Sequence, residues 1–177
     1  MPKYVAFLRA INVGGHTVKM DHLRLLFEAL GFSSVETFIA SGNVIFNSTS
    51  KNTKVLEKKI EGSLQETLGY NVATFIRSTA ELQTIANYKP FSEAELIPGS
   101  VVYVGFLAAT PSDEAKQKLM SLSTEVDNFH VSRREVYWLC RTSFSESQFS
   151  GARLEKTFGM KATLRNSTTV RKIAAKY

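Results

Sequence analysis

Apolar and polar residues along this chain recur with periods that switch between two and about 3.6, and the switches divide it into strands and helices. An apolar run centred on Val5 to Leu8 predicts a strand over Lys3 to Arg9. Met20, Leu23, Phe27 and Leu30 then recur at three- and four-residue spacing, which predicts a helix over Met20 to Leu30 with Gly31 as its left-handed cap. A second strand is expected from Val35 to Ala40, a tight turn at Ser41-Gly42, and a third strand from Asn43 to Asn47. Val55, Leu56, Ile60, Leu64 and Leu68 mark a helix closed by Gly69, and Asn71 to Arg77 reads as a fourth strand. Ser78-Thr79-Ala80-Glu81 has the spacing of a capping box and opens a short helix through Asn87.

The stretch Tyr88 to Ser100, with Pro90, Pro98 and Gly99, reads as a linker, after which the pattern repeats. Val101 to Ala108 is an apolar strand. Thr110-Pro111-Ser112-Asp113 predicts a helix with Thr110 as cap and Pro111 in its first position, carrying Ala115, Leu119 and Leu122. Strands over Val126 to Ser132 and Glu135 to Arg141 are joined by a turn near Arg133-Arg134. A helix from Phe149 to Phe158 ends at Gly159, Lys161 to Arg165 is the final strand, and Asn166 or Ser167 caps a C-terminal helix. The order β-α-β-β-α-β, met twice, predicts an α+β fold of two tandem ferredoxin-like halves with antiparallel sheets, plus a C-terminal helix. The expected boundaries are 1–88 for the first half, 89–100 for the linker and 101–177 for the second half. The repeat is carried by element order, not by sequence identity.

Composition changes this picture little. With 44% hydrophobic and 21% charged residues, the 177-residue chain has a globular balance, which excludes a disordered polyelectrolyte. A lone cysteine, Cys140, forms no internal disulfide, and no apolar run reaches the length of a membrane span, so a cytoplasmic protein with no membrane partner is expected. Charge adds more. From Gly151 onward the cations Arg153, Lys156, Lys161, Arg165, Arg171, Lys172 and Lys176 stand against the single acid Glu155, and this tail accounts for the whole formal charge of +6. A basic face of this kind attracts polyanions, and scattered solvated cations produce the same count.

Two segments carry candidate binding chemistry. Arg9, Asn12, Gly14, Gly15 and Lys19 occupy a strand-to-helix loop that offers hydrogen-bond donors and no general base, which suits anion binding over proton transfer. The loop fits neither GxxxxGK[ST] nor GxGxxG. Arg165, Asn166, Thr169 and Lys172 straddle the start of the last helix as a second anion cradle. For each, a plain turn or cap explains the same residues. Ser41-Gly42-Asn43 is explained by the hairpin reversal. Strands one and three of a half are expected to run parallel, which puts this turn about 20 Å from the loop after strand one and gives the two motifs separate jobs. His16, His22 and His130 show no ligand spacing with one another or with Cys140, so neither a metal nor a cofactor is expected. Cys140 beside Trp138 reads as a buried small hydrophobe.

The runs FLRAINVGGHTVKMDHLRLLFEALGF, TFIASGNVIF and LEKTFGMKATLRNSTTVRKIA resemble a bacterial family known only as a domain of unknown function, number sixteen ninety-seven. The resemblance spans essentially the whole chain, departing at Ala10, where a glycine is usual, and at Ser167, where a tryptophan is usual. It implies the duplicated ferredoxin-like fold and a cytoplasmic bacterial origin, and it implies no activity. Three readings stay open at this point: a non-catalytic binder of a phosphate-bearing anion, either a small molecule or nucleic acid; an enzyme acting on a phosphorylated or carboxylated metabolite at the Arg9–Lys19 loop; and an interaction or homo-oligomerisation module presenting Tyr103, Tyr137 and Trp138. No RNP1-like run occurs on either third strand, which argues against an RRM.

Overall fold

Strand β1 (Lys3–Leu8) is buried at every position after Lys3, because it occupies the middle of a sheet. In this computed structural model, which describes residues 1–12, 16–39 and 42–177, β1 lies between β3 (Asn43–Asn47) and β4 (Thr74–Ser78). Strand β2 (Ser33–Thr37) extends the sheet beyond β3, in the order β2-β3-β1-β4. Tyr4, Ala6 and Leu8 point to one face. There they meet Val44, Phe46 and Ile76, with Leu23 and Phe27 of α1 (Met20–Ala29) and Leu56, Ile60 and Leu64 of α2 (Thr53–Leu68) packed over them. The alternate residues Val5, Phe7, Ile45 and Phe75 are buried as well, which explains why these strands read as continuous apolar runs instead of alternating ones.

The chain divides into two compact units, Met1–Leu82 and Gln83–Tyr177, the boundary falling within α3 (Thr79–Asn87). In the second unit β5 (Val101–Leu107) lies between β7 (Glu135–Cys140) and β8 (Ala162–Asn166), with β6 (Asp127–Ser132) outside β7. Leu119 of α4 (Asp113–Met120) and Leu154 and Phe158 of α5 (Gly151–Phe158) cover Leu107, Val136 and Trp138. Helix α6 (Ser167–Lys176) packs on β5 and β8. Trp138 is fully buried between Tyr103, Phe144 and Phe149, and its indole N–H donates to Asp127 Oδ1 at 2.8 Å. The Ser147 hydroxyl donates to the same carboxylate, so this buried acid is satisfied. Trp138 and Tyr137 are therefore not exposed faces for a partner.

The α+β architecture of two antiparallel four-stranded sheets and a C-terminal helix stands as expected. Three expectations are corrected. Helix α4 begins at Asp113, two residues past Pro111, because the Ser112 hydroxyl accepts from the Ala115 amide at 3.1 Å and Pro111 is buried ahead of the helix. Strand β1 runs antiparallel to β3, not parallel, with Phe7 opposite Asn43. Finally, the repeat is present in residue identity and not in element order alone. Tyr4-Val5-Ala6-Phe7-Leu8 and Tyr103-Val104-Gly105-Phe106-Leu107 occupy the same place in their sheets. Val5 pairs with Arg77 and Val104 with Arg165, and the Leu8 and Leu107 amides donate to the Gly42 and Arg134 carbonyls at the same 2.9 Å.

Candidate anion-binding sites

The antiparallel pairing brings together what the sequence analysis separates. The loop after β1, the hairpin between β2 and β3, and the segment leading into β4 all lie at one end of the first sheet. Leu8 N donates to Gly42 O and Arg9 N to Ala73 O, both at 2.9 Å. Gly42 has φ +82°, and a Cβ there would stand 2.7 Å from Ile11 Cγ2 and 3.2 Å from Leu8 Cβ. Both its backbone conformation and the close approach of the loop therefore require glycine. The reversal spans more than a two-residue turn: Phe38 N donates to Asn43 O, and Asn43 Nδ2 donates to Phe38 O, both at 2.9 Å. Ser41, Gly14 and Gly15 lie outside the described residues.

Within this end, Ile11 is buried, Arg9 is half-buried, and the Asn12 carbonyl oxygen Oδ1 accepts from the Val18 amide at 2.7 Å. Asn12 thus closes its own loop, as an Asx-type local bond does. The Tyr70 hydroxyl donates to Ile11 O at 3.2 Å, and the Tyr70 ring stacks on His16 at 3.8 Å between centroids. Lys19 is exposed at the N-cap position of α1, and no side chain caps that helix. An open groove of about 410 Å³ runs along this edge, lined by His16, Lys19, His22, Leu68 and Tyr70. No carboxylate among the described residues lines it. Among the described residues Lys19 has no ion-pair partner, and neither imidazole has a hydrogen-bond partner.

The second cradle is arranged differently. Arg165 is 8% exposed, and its Nη1 donates to Thr163 Oγ1 at 2.6 Å and to Leu164 O at 2.9 Å. Burial pushes its guanidinium down to about 10, still charged at neutral pH. Arg77, its counterpart in the first sheet, is 1% exposed and bonds the Ile76 carbonyl in the same way. Asn166 caps α6 through the Thr168 amide at 2.9 Å, Thr169 is half-buried and Lys172 is exposed. The basic tail does not form one face. Arg153 and Lys156 belong to α5, which packs with Leu107 and Trp138, whereas Arg171 and Lys172 belong to α6, which packs with Val102 and Val104 on the other side of the sheet.

One feature escaped the sequence reasoning. A pocket of about 260 Å³ in the second unit is floored by Val102, Val104 and Tyr137 and walled by residues of the stretch Tyr88 to Leu96. The prolines of that stretch predict a linker, whereas its Tyr88, Phe91 and Leu96 are the signal that it packs on the sheet. The Tyr88 hydroxyl lies 2.5 Å from His130 Nε2. Burial, with Glu135 and Tyr88 close by, holds the Tyr137 phenol well above the usual tyrosine range. Cys140 is buried and free, its thiol pushed up chiefly by burial. Among the described residues no group of three or more His, Cys, Asp or Glu side chains is placed to hold a metal, and no helix is long and apolar enough to cross a membrane.

A family model described as a protein of unknown function, DUF1697, matches residues 1–137. No curated protein matches the chain. Among solved structures, the conserved bacterial protein SP0830 from Streptococcus pneumoniae is similar over 99% of this chain and 97% of its own, with a TM-score of 0.77 and 21% identity. A likeness at that identity carries the fold alone.

Proposed function

We propose that this chain, which belongs to the DUF1697 family of proteins of unknown function, is a non-catalytic binder of a phosphate-bearing anion at the open end of its first sheet. One observation carries the reading: the exposed Lys19, without an ion-pair partner among the described residues, stands at the N-terminus of α1, in a groove to which the described residues contribute His16 and His22 and no acid. The first-turn amides and the helix dipole favour negative charge there, and the lysine adds a full positive charge to the partial one. A lysine at the surface is a point charge that suits phosphate without demanding a fixed approach. Binding is favoured over catalysis because, among the described residues, neither imidazole has the hydrogen-bond partner that would orient a general base, and no cysteine, serine or carboxylate lines the groove beside them.

The test is a thermal-shift screen of the full chain at low salt against nucleotides, sugar phosphates, inorganic pyrophosphate and short RNA and DNA. A ligand at about a hundred times its Kd adds roughly 2.7 kcal/mol to stability. The expected result is a shift with a subset of the small phosphorylated compounds that Lys19→Glu abolishes while leaving the unliganded melting temperature in place. Shifts from RNA or DNA alone that survive Lys19→Glu and vanish with added salt would replace this reading with nucleic-acid binding by the tail. A flat screen would end both.

A further inference from the structure

We infer that the second half holds a ligand pocket of its own, built for a small carboxylate with an apolar body. The floor is apolar and rigid, because Val102, Val104 and Tyr137 are neighbours across the β5–β7 ladder and Ile85 and Val170 close over them from α3 and α6. Tyr88 and Leu96 at the rim remain 39% and 43% exposed, so apolar surface continues outward from the cavity instead of being sealed by the chain. The volume of about 260 Å³ lies just under the ~300–1,000 Å³ of drug-sized clefts, which limits the occupant to one ring or a short branched chain.

The charge at the rim selects the sign of the ligand's polar end. Lys89 and Arg171 both line the pocket, and among the described residues neither is paired with a carboxylate. Among the described residues Arg171 is held by two long bonds to neutral hydroxyls, Ser167 Oγ and Thr168 Oγ1, each at 3.3 Å. Its fork is thus positioned beside the first turn of α6 and keeps donors to spare, the arrangement that receives a carboxylate in two parallel bonds. Glu93 also lines the rim, leaving an excess of one positive charge. That excess matches a monoanion better than a phosphate dianion. The site shares no residue with the groove in the first half, so the two proposals stand or fall separately.

The experiment titrates the full chain with phenylacetate, benzyl alcohol and inorganic phosphate, following amide shifts by two-dimensional NMR. Phenylacetate is expected to move the resonances of Val104, Tyr137 and Ser167 and to bind at least about tenfold more tightly than benzyl alcohol, with phosphate leaving these resonances unmoved. Arg171→Gln, an exposed helix position whose loss spares the fold, should weaken phenylacetate by about tenfold. Ala86→Phe, which fills the cavity from α3, should abolish binding of both aromatic probes, and Lys19→Glu should leave them unaffected. Equal affinity for benzyl alcohol and phenylacetate, an unchanged affinity in Arg171→Gln, or no shifts at millimolar phenylacetate would each overturn the proposal.

Discussion

β1 and β5 run through the same five residues apart from Ala6 in one and Gly105 in the other, and the chain diverges immediately after them. In the second half Ala108 to Ser112 crosses directly into α4, which Ser112 caps through the Ala115 amide. In the first half the crossing runs from Arg9 to Lys19, and α1 starts without a side-chain cap. The extra chain returns over the sheet end, where Ile11 is buried against Gly42 and held by the Tyr70 hydroxyl. A Ser, Thr, Asp or Asn cap contributes about 1 kcal/mol to a helix. The first half forgoes it and presents amides and a lysine instead, while the second half keeps its helix satisfied and places its cavity on the other face of the sheet. The sheet is held in common, and the open groove of the first half and the cavity of the second lie at different places on it.

The common part is tested most severely through Arg77 and Arg165, which occupy equivalent positions opposite Val5 and Val104. Each is buried and bonds the carbonyl of the residue before it. Arg77→Ala and Arg165→Ala should each cost about 3 kcal/mol in denaturant unfolding, through lost bonds and a cavity in a close-packed layer. The lowered pKa of Arg165 adds a sign to this. Its folded value lies below the unfolded one, so burial of the charge opposes folding at neutral pH, and that opposition eases only as pH rises through about 10. Arg165→Met, which keeps the stem and removes the charge, should therefore lose less than Arg165→Ala. If either alanine variant unfolds within about 0.5 kcal/mol of the parent, the two arginines are not equivalent supports.

The divergent part has its own test, of intermediate size. Gly42 and Arg134 receive the same hydrogen bond from equivalent leucines, and Gly42 also lies against Ile11 of the loop after β1. Gly42→Ala should cost about 2 kcal/mol, from positive φ and from the 2.7 Å approach to Ile11. Arg134→Ala, at a position without positive φ, should cost less than Gly42→Ala. Combining Gly42→Ala with Ile11→Ala isolates the steric share, since the pair should be less destabilised than the sum of the single changes. Additive costs in that cycle would show that the loop does not set the glycine.

Element order, most helix ends and the capping box at Ser78 and Glu81 were legible in the sequence because each depends on neighbours a few residues apart. What stayed hidden depended on contacts distant in the chain. Nothing local places Gly42 beside Ile11, and a wrong strand direction sent the two motifs to opposite ends. Nor does anything local bring Leu68 and Tyr70 to His16, Lys19 and His22, with which they line one groove. Arg165 looked like a surface cation in a basic run, and only the register with Val104 shows it buried. The shared Tyr-Val-x-Phe-Leu is short enough to pass for chance until the two sheets give it the same register.

The smallest difference between the halves is the most direct measure of what the long loop costs. Ala10 and Ala109 stand at equivalent positions, two residues past the common leucine, and both are exposed, so packing does not separate them. Their backbones differ: Ala10 has φ +54°, whereas Ala109 is absent from the positive-φ residues. A left-handed alanine costs about 1–2 kcal/mol relative to its right-handed form, and glycine escapes most of that while losing about 0.5–1 kcal/mol to a freer unfolded chain. Ala10→Gly should therefore raise stability by about 0.5 kcal/mol, and Ala109→Gly should lower it by a similar amount. The opposite signs, read from unfolding midpoints at a common m-value, are the informative result. They would tie the left-handed strain at Ala10 to the turn that carries the chain away from the strand. A loss in both variants would mean that the left-handed turn at Ala10 is not populated in solution, and the loop geometry built on it would have to be redrawn.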